Sequence, residues 1–472
     1  MFLVNSPSRP TEFNRRAGVK IIIVGAGEVG YNIASRLASE SKQVVVIERN
    51  PDLARVLFED LDVQVIEGSG SSPTVLSRAG IQDTDILLAV TDSDEINLTA
   101  CLVTNMLSPS TKKLARIRNT DFDSFHEIFK TQIPYIDTII NPEIEVVKTI
   151  RRLVDIPQAL DTGDFADGKV RYTGIRIDSA SVMAGMCLKD FQERFGATRP
   201  LIAAIVRKDE VIVPRGNDSI YPGDLVYFVS HADQLKDTLK IFGIQIKPIQ
   251  SALIVGGGRI GARLATQMEN EGIKTRLIEA DKARCLELAE QMDKTVVLHG
   301  DGSDQKLFLE ENLNQIDAVI SVTDDDETNV LVSLLAKNLG VKNTVTRIGK
   351  SSYYPFLTTI GIEKVVSPRL SAVSSILQNV RQGKVLSDIS IFGERGEFIQ
   401  AVALETSDIT NRPLKDLNMP KGALLVCIIR NGDIIIPTGE SVVTPGDQII
   451  VFTVKQAVKK MEKLLTVKLE FF

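Results

Sequence analysis

Short apolar runs alternate with amphipathic segments along the first part of the chain. The runs that predict strands are 20–24, 43–48, 63–67, 85–90 and 114–118. The segments that predict helices are 28–39, 51–61, 73–79 and 94–107. Because strands that alternate with helices form parallel βαβ units, this order predicts a doubly wound parallel sheet.

The first strand leads directly into Gly25-Ala26-Gly27-Glu28-Val29-Gly30, a Gly-x-Gly-x-x-Gly sequence that opens a helix. Gly25 would permit a tight turn, Gly27 would let a pyrophosphate approach the backbone, and Gly30 would let helix and strand pack closely. The free N–H groups of the helix N-terminus would face that anion. Glu48 ends the second strand, where a dinucleotide-binding fold places a carboxylate that binds ribose hydroxyls.

The pattern changes after residue 140. Asn141-Pro142-Glu143 combines a capping side chain with a proline and predicts the start of a helix. Short alternating strands follow from residue 169, and 232–242 predicts a closing helix. Asp161-Thr162-Gly163-Asp164 reads as a turn-rich segment before these strands. The region predicts a small α+β lobe.

The chain then repeats this organisation. Gly256-Gly257-Gly258-Arg259-Ile260-Gly261 again follows an apolar strand, at an offset of 256 − 25 = 231 residues. Further matched positions are Glu48 and Glu279, Ser69-Gly70 and Asp301-Gly302, Thr91 and Thr323, and Arg116 and Arg347. The repeat predicts a tandem duplication in the α/β class, with two Rossmann-like doubly wound parallel sheets, each followed by a small α+β lobe.

The repeat also sets the expected domains. Residues 20–140 and 247–366 would form the two sheets, 141–160 and 367–384 two crossover helices, and 161–246 and 385–472 the two lobes. Residues 1–19 are expected to be a disordered extension, since they lack the apolar core of a signal peptide.

Composition and charge argue against several classes of function. The 472 residues are 43% hydrophobic and 25% charged, as in soluble globular proteins. The formal net charge of −6 argues against nucleic-acid binding. No segment approaches the roughly 18 consecutive apolar residues of a membrane span. The cysteines form no CxxC pair and are expected to be small core residues: Cys101, Cys187, Cys285 and Cys427.

Several candidate residues have a second interpretation. Gly257 and Arg259 alter the second glycine turn, which is either kept for the fold alone or uses Arg259 to hold an extra phosphate. Glu48 and Glu279 are either surface acids or ribose-binding carboxylates, and their matched positions favour the latter. An acid at this position also disfavours NADP, whose 2′-phosphate it would repel.

Two further groups lie at the same predicted sheet edge. Arg116 and Arg347 end the fifth strands, and their repeated placement favours a phosphate or ribose contact over a surface arginine. Asp324-Asp325-Asp326-Glu327 is expected to be a solvated helix N-terminus, where acids are favoured. The alternative is a divalent-cation site.

A catalytic centre is not evident from the sequence. The histidines, His126, His231 and His299, have neither repeat partners nor a neighbouring nucleophile. Because hydride transfer or hydrolysis needs a positioned acid or base, the nucleotide is expected to be sensed and not consumed.

The chain resembles the TrkA-type regulators of bacterial potassium uptake, which are built from RCK (KTN) domains with TrkA-C lobes. The resemblance rests on the Gly25–Gly30 sequence with Glu48, on Thr91-Asp92-Ser93-Asp94-Glu95-Ile96-Asn97, on Arg116, and on their second-half partners. The tandem order covers roughly residues 20–465 and is more specific than any single motif.

The resemblance implies a cytoplasmic subunit, peripheral on the inner face of the membrane, that binds NAD(H), ATP or ADP. It would gate a separate membrane potassium channel subunit of the TrkH or TrkG type, and homodimers or homotetramers would form a ring of RCK units. The first implied site is Gly25, Ala26, Gly27, Glu28, Val29, Gly30, Glu48, Ser69, Gly70, Thr91 and Arg116. The second is Gly256, Gly257, Gly258, Arg259, Ile260, Gly261, Glu279, Asp301, Gly302, Thr323 and Arg347.

Two alternative functions stay open. One is an NAD-dependent oxidoreductase, which would need a catalytic base and a substrate pocket. The other is a nucleotide-sensing scaffold for a different membrane transporter. The sequence also leaves open which site binds which nucleotide.

Overall fold

The computed structural model describes residues 19–39, 42–166, 168–196, 200–208, 210–310, 315–380, 385–391 and 395–465. The predicted N-terminal extension lies outside these residues. The chain divides between Ile140 and Asn141 into two compact units.

The first unit is a six-stranded parallel sheet in the order β3-β2-β1-β4-β5-β6. Its strands are β1 (Lys20–Val24), β2 (Gln43–Glu48), β3 (Gln64–Glu67), β4 (Ile86–Ala89), β5 (Lys112–Arg116) and β6 (Thr138–Ile140). Its helices are α1 (Glu28–Ser39), α2 (Pro51–Asp60), α3 (Pro73–Arg78), α4 (Asp94–Leu107) and α5 (His126–Thr131). The strand order reverses beside β1, where α/β sheets bind ligands.

The second unit begins with α6 (Pro142–Asp155), which Asn141 caps by accepting from the N–H of Glu143 over 3.1 Å. An antiparallel sheet of order β10-β9-β11-β8-β7 follows. Its elements are β7 (Ala159–Phe165), β8 (Val170–Arg176), α7 (Phe191–Phe195), β9 (Leu201–Arg207), β10 (Glu210–Ile212), β11 (Leu225–His231) and α8 (Leu235–Ile241).

A second parallel sheet has the order β14-β13-β12-β15-β16-β17, which matches the first sheet strand for strand. Its elements are β12 (Ser251–Val255), α9 (Arg259–Asn270), β13 (Lys274–Glu279), α10 (Lys282–Gln291), β14 (Val296–His299), α11 (Gln305–Glu310), β15 (Ala318–Ser321), α12 (Asp326–Asn338), β16 (Asn343–Arg347), α13 (Tyr354–Leu357) and β17 (Val365–Val366).

The chain closes with a second lobe, whose antiparallel sheet has the order β18-β19-β22-β20-β21. Its elements follow α14 (Pro368–Val380) and are β18 (Val385–Ile391), β19 (Gly396–Val402), β20 (Ala423–Arg430), β21 (Asp433–Ile435), β22 (Gln448–Val454) and α15 (Val458–Leu465). The predicted fold class, two Rossmann-like sheets each followed by a small lobe, is confirmed.

Helix α6 packs against the second parallel sheet. Its buried side chains Val147, Ile150 and Val154 share one core with Ile254 of β12 and Leu264 of α9. The apolar face of α6 is therefore buried within the second unit.

The two lobes of the second unit share another core. The ring centroids of Tyr172 and Phe398 lie 5.1 Å apart, and those of Phe165 and Phe398 lie 5.6 Å apart. Stacked and tilted aromatic pairs of this kind stabilise an interface beyond their burial alone.

One predicted turn is wrong. Asp161 to Asp164 lie within β7, an edge strand with a register irregularity between Ala159 and Asp161. The carboxylate of Asp161 accepts from the hydroxyls of Tyr172 and Tyr227, over 3.1 and 3.3 Å. An edge strand tolerates such polar residues because their hydrogen bonds are satisfied inside the lobe.

The cysteine prediction is correct for three of four positions. Cys101, Cys285 and Cys427 are buried, and burial raises the pKa of Cys101 and Cys427 to about 12. Cys187 is only partly buried, because it lies in the loop that forms a bridge to Ser219 rather than in a core strand. None of the described helices is long and apolar enough to cross a membrane.

Candidate functional site

The first glycine turn, residues 25–30, joins β1 to α1. It contains two glycines that the fold requires and one that it does not. Gly25 has φ +102°, a conformation that favours glycine, and its N–H donates to Ile47 over 2.9 Å. A Cβ on Gly30 would lie 1.9 Å from the carbonyl oxygen of Gly25. The fold itself therefore requires glycine at both positions.

Gly27 is different. A Cβ placed there would meet no atom of the described residues within 4 Å, and its backbone is not in the left-handed region. Packing within this part of the chain does not explain the glycine, whereas a ligand that approaches the backbone would. The predicted pyrophosphate contact requires this open space, and the contact itself stays a prediction.

The second turn repeats the arrangement. Gly256 has φ +106°, and a Cβ on Gly261 would lie 1.9 Å from the carbonyl oxygen of Gly256. A Cβ on Gly258 would meet no described atom within 4 Å. At Gly257, where the first turn has alanine, a Cβ would lie 2.5 Å from Cδ1 of Leu288. The altered sequence keeps the turn, and glycine at position 257 leaves room for the Leu288 side chain of α10.

The two predicted ribose-binding acids lie beside the turns. Glu48 accepts from the N–H of Ala26 over 2.6 Å and from the N–H of Asn50 over 2.8 Å. Glu279 accepts from the N–H of Gly257 over 2.7 Å. Because a carboxylate has about four acceptor positions, each acid keeps capacity for a ribose hydroxyl.

The loops after β3 and β14 also reach the central strands. A Cβ on Gly70 would lie 2.0 Å from Cγ1 of Val24, and a Cβ on Gly302 would lie 2.1 Å from Cγ1 of Val255. The loops that contain Ser69 and Asp301 therefore pack closely against Val24 and Val255, the residues that precede the two turns. In the second loop, hydrogen bonds from the N–H and hydroxyl of Ser303 lower the pKa of Asp301.

A buried asparagine, whose role the sequence did not reveal, fixes the neighbouring strand ends. Asn97 is fully buried; its Oδ1 accepts from the N–H of Thr91 over 2.9 Å, and its Nδ2 donates to the carbonyl of Arg116 over 2.8 Å. Thr91 and Arg116, both predicted site residues, are thereby held together. The sequence indicates this role only through the repeat, because Asn97 and Asn329 occupy matched positions after the Thr-Asp pair of each copy.

Asn329 makes the same bonds in the second copy. Its Oδ1 accepts from the N–H of Thr323 over 2.9 Å, and its Nδ2 donates to the carbonyl of Arg347 over 3.1 Å. Nη1 of Arg347 donates to the carbonyl of Thr323 and lies 3.0 Å from Oδ1 of Asp324. The Arg347 side chain, at the end of β16, is thereby held against the segment that follows β15.

The acidic cluster after β15 has separate partners for each carboxylate. Asp324 pairs with Arg347. Asp325 caps α12 by accepting from the N–H of Thr328 over 2.7 Å. Asp326 accepts from the N–H groups of Gly349 and Lys350. Hydrogen bonds from Tyr353 and Lys350 lower the pKa of Glu327 to about 2. No group of three metal-binding side chains was found among the described residues.

Glu143 has a role beyond the helix start that its sequence predicts. Its Oε1 lies 2.9 Å from Nε of Arg259, the first residue of α9. Glu143 belongs to the first turn of α6 and is buried, whereas the Arg259 side chain is 49% exposed. The second glycine turn is therefore linked to the helix that follows β6.

Comparison with known proteins identifies the family. The TrkA-N domain model matches residues 21–142 and 252–368, and the TrkA-C domain model matches residues 172–243 and 398–466. The Trk system potassium uptake protein TrkA of Azorhizobium caulinodans is 37% identical over 458 residues, covering 96% of this chain and 100% of that protein. The chain belongs to the TrkA family.

Solved structures of RCK-domain proteins share the fold of this chain. The GsuK RCK domain has a TM-score of 0.59 at 18% identity and covers 97% of this chain and 98% of its own. A GsuK channel bound to NAD also has a TM-score of 0.59 at 18% identity, over 96% of this chain and 80% of that one. At this identity the likeness concerns the fold, and it agrees with the tandem organisation of a TrkA chain.

Proposed function

We propose that this TrkA-family chain is a nucleotide-binding regulatory subunit, which gates a membrane potassium channel subunit in response to NAD(H), ATP or ADP. The observation that carries the proposal is the pair of open glycines, Gly27 and Gly258. In each turn the first and last glycines of the motif are required by backbone geometry, whereas the contacts among the described residues do not require Gly27 or Gly258. A ligand that approaches the backbone would explain glycine at these two positions.

The surroundings support a nucleotide as that ligand. In each copy the turn leads into a helix N-terminus, which favours a phosphate. Glu48 or Glu279 lies beside the turn, in position for ribose hydroxyls, and Arg116 or Arg347 ends the neighbouring strand. The structure of an NAD-bound channel with the same fold is consistent with NAD(H) as one ligand.

In this proposal, helix α6 couples the binding of a ligand to a change of conformation. Its first turn is bonded to Arg259 through Glu143, and near its end the carbonyls of Leu153 and Val154 accept from Lys364 and Asn343. An anion at the second turn attracts Arg259 and competes with Glu143. If α6 has a second arrangement, without the Glu143–Arg259 ion pair, a ligand that binds it with higher affinity shifts the population towards it.

The partners follow from the same proposal. The regulated subunit is an integral membrane channel of the TrkH or TrkG type, and the chain acts at the cytoplasmic face as a homodimer or homotetramer that completes a ring. Relatives of this chain are named Trk system potassium uptake proteins, which supports a partner that transports potassium. The role is regulatory, so NADH should not be turned over with a panel of metabolites.

Calorimetric titration of NAD, NADH, ADP and ATP tests the binding step. The wild-type chain should bind nucleotide, Gly27→Val and Gly258→Val should each lose one site, and the double variant should lose both. Because a Cβ at either position meets no atom of the described residues within 4 Å, these variants should fold like the wild type, which circular dichroism would check. Unchanged nucleotide binding by the folded double variant would reject the site assignment.

A further inference from the structure

The two glycine turns differ in charge at matched positions. In the first turn, Glu28 opens α1 and Leu53 lies in the first turn of α2. In the second, Arg259 opens α9 and Arg284 lies in the first turn of α10. An acid and an apolar residue in one copy are therefore replaced by two arginines in the other.

Both arginines lie at the second turn. Nε of Arg284 donates to the carbonyl oxygen of Gly257 over 3.1 Å, and this side chain is 33% exposed. Arg259 is held by Glu143 through Nε and is 49% exposed. Glu287, 2.8 Å from Nη1 of Arg284, is the second carboxylate that pairs with these arginines. Both cations keep exposed surface at helix N-termini, where phosphates bind.

The first turn has no such cations at these positions. Leu53 is 40% exposed, and Glu28 is exposed at the helix N-terminus, where it would repel additional phosphate groups. The adjacent strand ends add to the contrast, because Glu48 is paired in register with Glu67 of β3.

In the second copy the corresponding partner of Glu279 is His299. Several replacements beside the second turn oppose the trend, among them Ala280 for Arg49, Asp281 for Asn50 and Asp301 for Ser69. Asp281 accepts from the N–H of Arg284 over 2.7 Å. Asp301 also has partners. Its Oδ1 already accepts from the N–H and hydroxyl of Ser303, over 2.8 and 2.7 Å. The two added cations lie closest to the turn, on the first residue of α9 and in the first turn of α10, where Arg284 donates to the carbonyl of Gly257.

We infer that the two sites divide the nucleotides between them: the second turn binds a nucleoside triphosphate, and the first turn binds the dinucleotide NAD(H). The inference rests on the proposed function, because it assigns ligands to the proposed sites. A triphosphate carries more negative charge than the pyrophosphate bridge of a dinucleotide, so it gains more from Arg259 and Arg284. A charged hydrogen bond of this kind changes affinity by about tenfold or more.

Titrations of the full chain with ATP and NADH test the division. Gly27→Val leaves the second site open, and Gly258→Val leaves the first. The ratio of ATP affinity to NADH affinity should be at least about tenfold higher at the second site. In the Gly27→Val background, Arg259→Gln with Arg284→Leu should lower ATP affinity about tenfold and NADH affinity much less.

The reciprocal exchange provides the matched variant. In the Gly258→Val background, Glu28→Arg with Leu53→Arg should raise ATP affinity at the first site about tenfold; both residues are exposed, so folding should be unaffected. Equal affinity ratios at the two sites, or a higher ratio at the first, would overturn the inference. Failure of the wild-type chain to bind either nucleotide would instead reject the proposed function.

Discussion

Nε of Arg259 lies 2.9 Å from Oε1 of Glu143, and this ion pair joins the second glycine turn to the first turn of α6. The carboxylate is buried and the arginine is half exposed. A phosphate that binds at the turn must therefore compete with Glu143 for the same guanidinium group.

Glu143→Gln removes that competition while keeping the shape of the side chain. ATP affinity at the second site should rise by about tenfold, because Arg259 no longer has a charged partner. The matched control is Glu145→Gln on the same helix, which removes an exposed pair with Lys148 at 2.8 Å. Calorimetry in the Gly27→Val background measures both, and equal affinities of the two variants would contradict the proposed competition.

Gly30 and Gly27 should respond very differently to alanine. Gly30→Ala places a methyl group 1.9 Å from a carbonyl oxygen and should destabilise the first unit by about 3 kcal/mol or more. Gly27→Ala should change stability by less than about 1 kcal/mol, because the methyl group meets no atom within 4 Å in the part of the chain that the structure describes. Scanning calorimetry compares them, and similar shifts of the unfolding transition would contradict the different surroundings of the two glycines.

Much of this site was accessible from the sequence. Spacing alone placed Glu48 and Glu279 at strand ends beside the turns, because parallel strands end at one edge of the sheet. The strand β7 was missed because Asp161 and Gly163 are residue types common in turns, and only the tertiary partners Tyr172 and Tyr227 reveal why they fit a strand.

The roles of Asn97 and Glu143 could not be read from the chain. Each depends on residues distant in sequence: the carbonyl of Arg116 for Asn97, and Arg259 for Glu143. A polar residue at a helix N-terminus is usually solvated, so burial is what separates these two from ordinary surface residues. The sequence contains no direct measure of that burial.

Asn329 should be essential for holding Thr323 and Arg347 together in the second copy. Asn329→Leu leaves the N–H of Thr323 and the carbonyl of Arg347 without their partner and should destabilise the fold by about 2–4 kcal/mol. The control is Asn338→Leu, at the exposed end of the same helix, with an expected change within about 0.5 kcal/mol. Denaturant unfolding compares the variants, and a mild effect of Asn329→Leu would contradict the bridging role.

Lys364 should make stability depend on pH. Its Nζ donates to Asn343 over 2.7 Å and to the carbonyl of Leu153 over 3.2 Å. Burial, with a smaller effect from Lys337, lowers the pKa of Lys364 to about 7 from an ordinary value of 10.5, and Glu363 opposes the change. The cost of burying the charge is fully present below pH 7, where the folded and unfolded chains both hold the proton.

Above pH 7 the folded chain releases this proton while the unfolded chain keeps it, so stability rises with pH up to the unfolded pKa. Relative to Lys364→Met, the wild type should gain up to about 1.4 kcal/mol per pH unit between pH 7 and pH 9. Denaturant unfolding at several pH values measures the slope, with the exposed Lys294→Met as control. Parallel slopes for the wild type and Lys364→Met would contradict the account.

Potassium flux into vesicles tests the central claim most directly. The vesicles would contain the membrane channel subunit, with either the wild-type chain or the Gly27→Val/Gly258→Val double variant bound to it. Addition of NADH or ATP should change the flux with the wild type and leave it unchanged with the double variant. A nucleotide response that persists in the folded double variant, or a wild type that binds nucleotide without any change in flux, would contradict the claim.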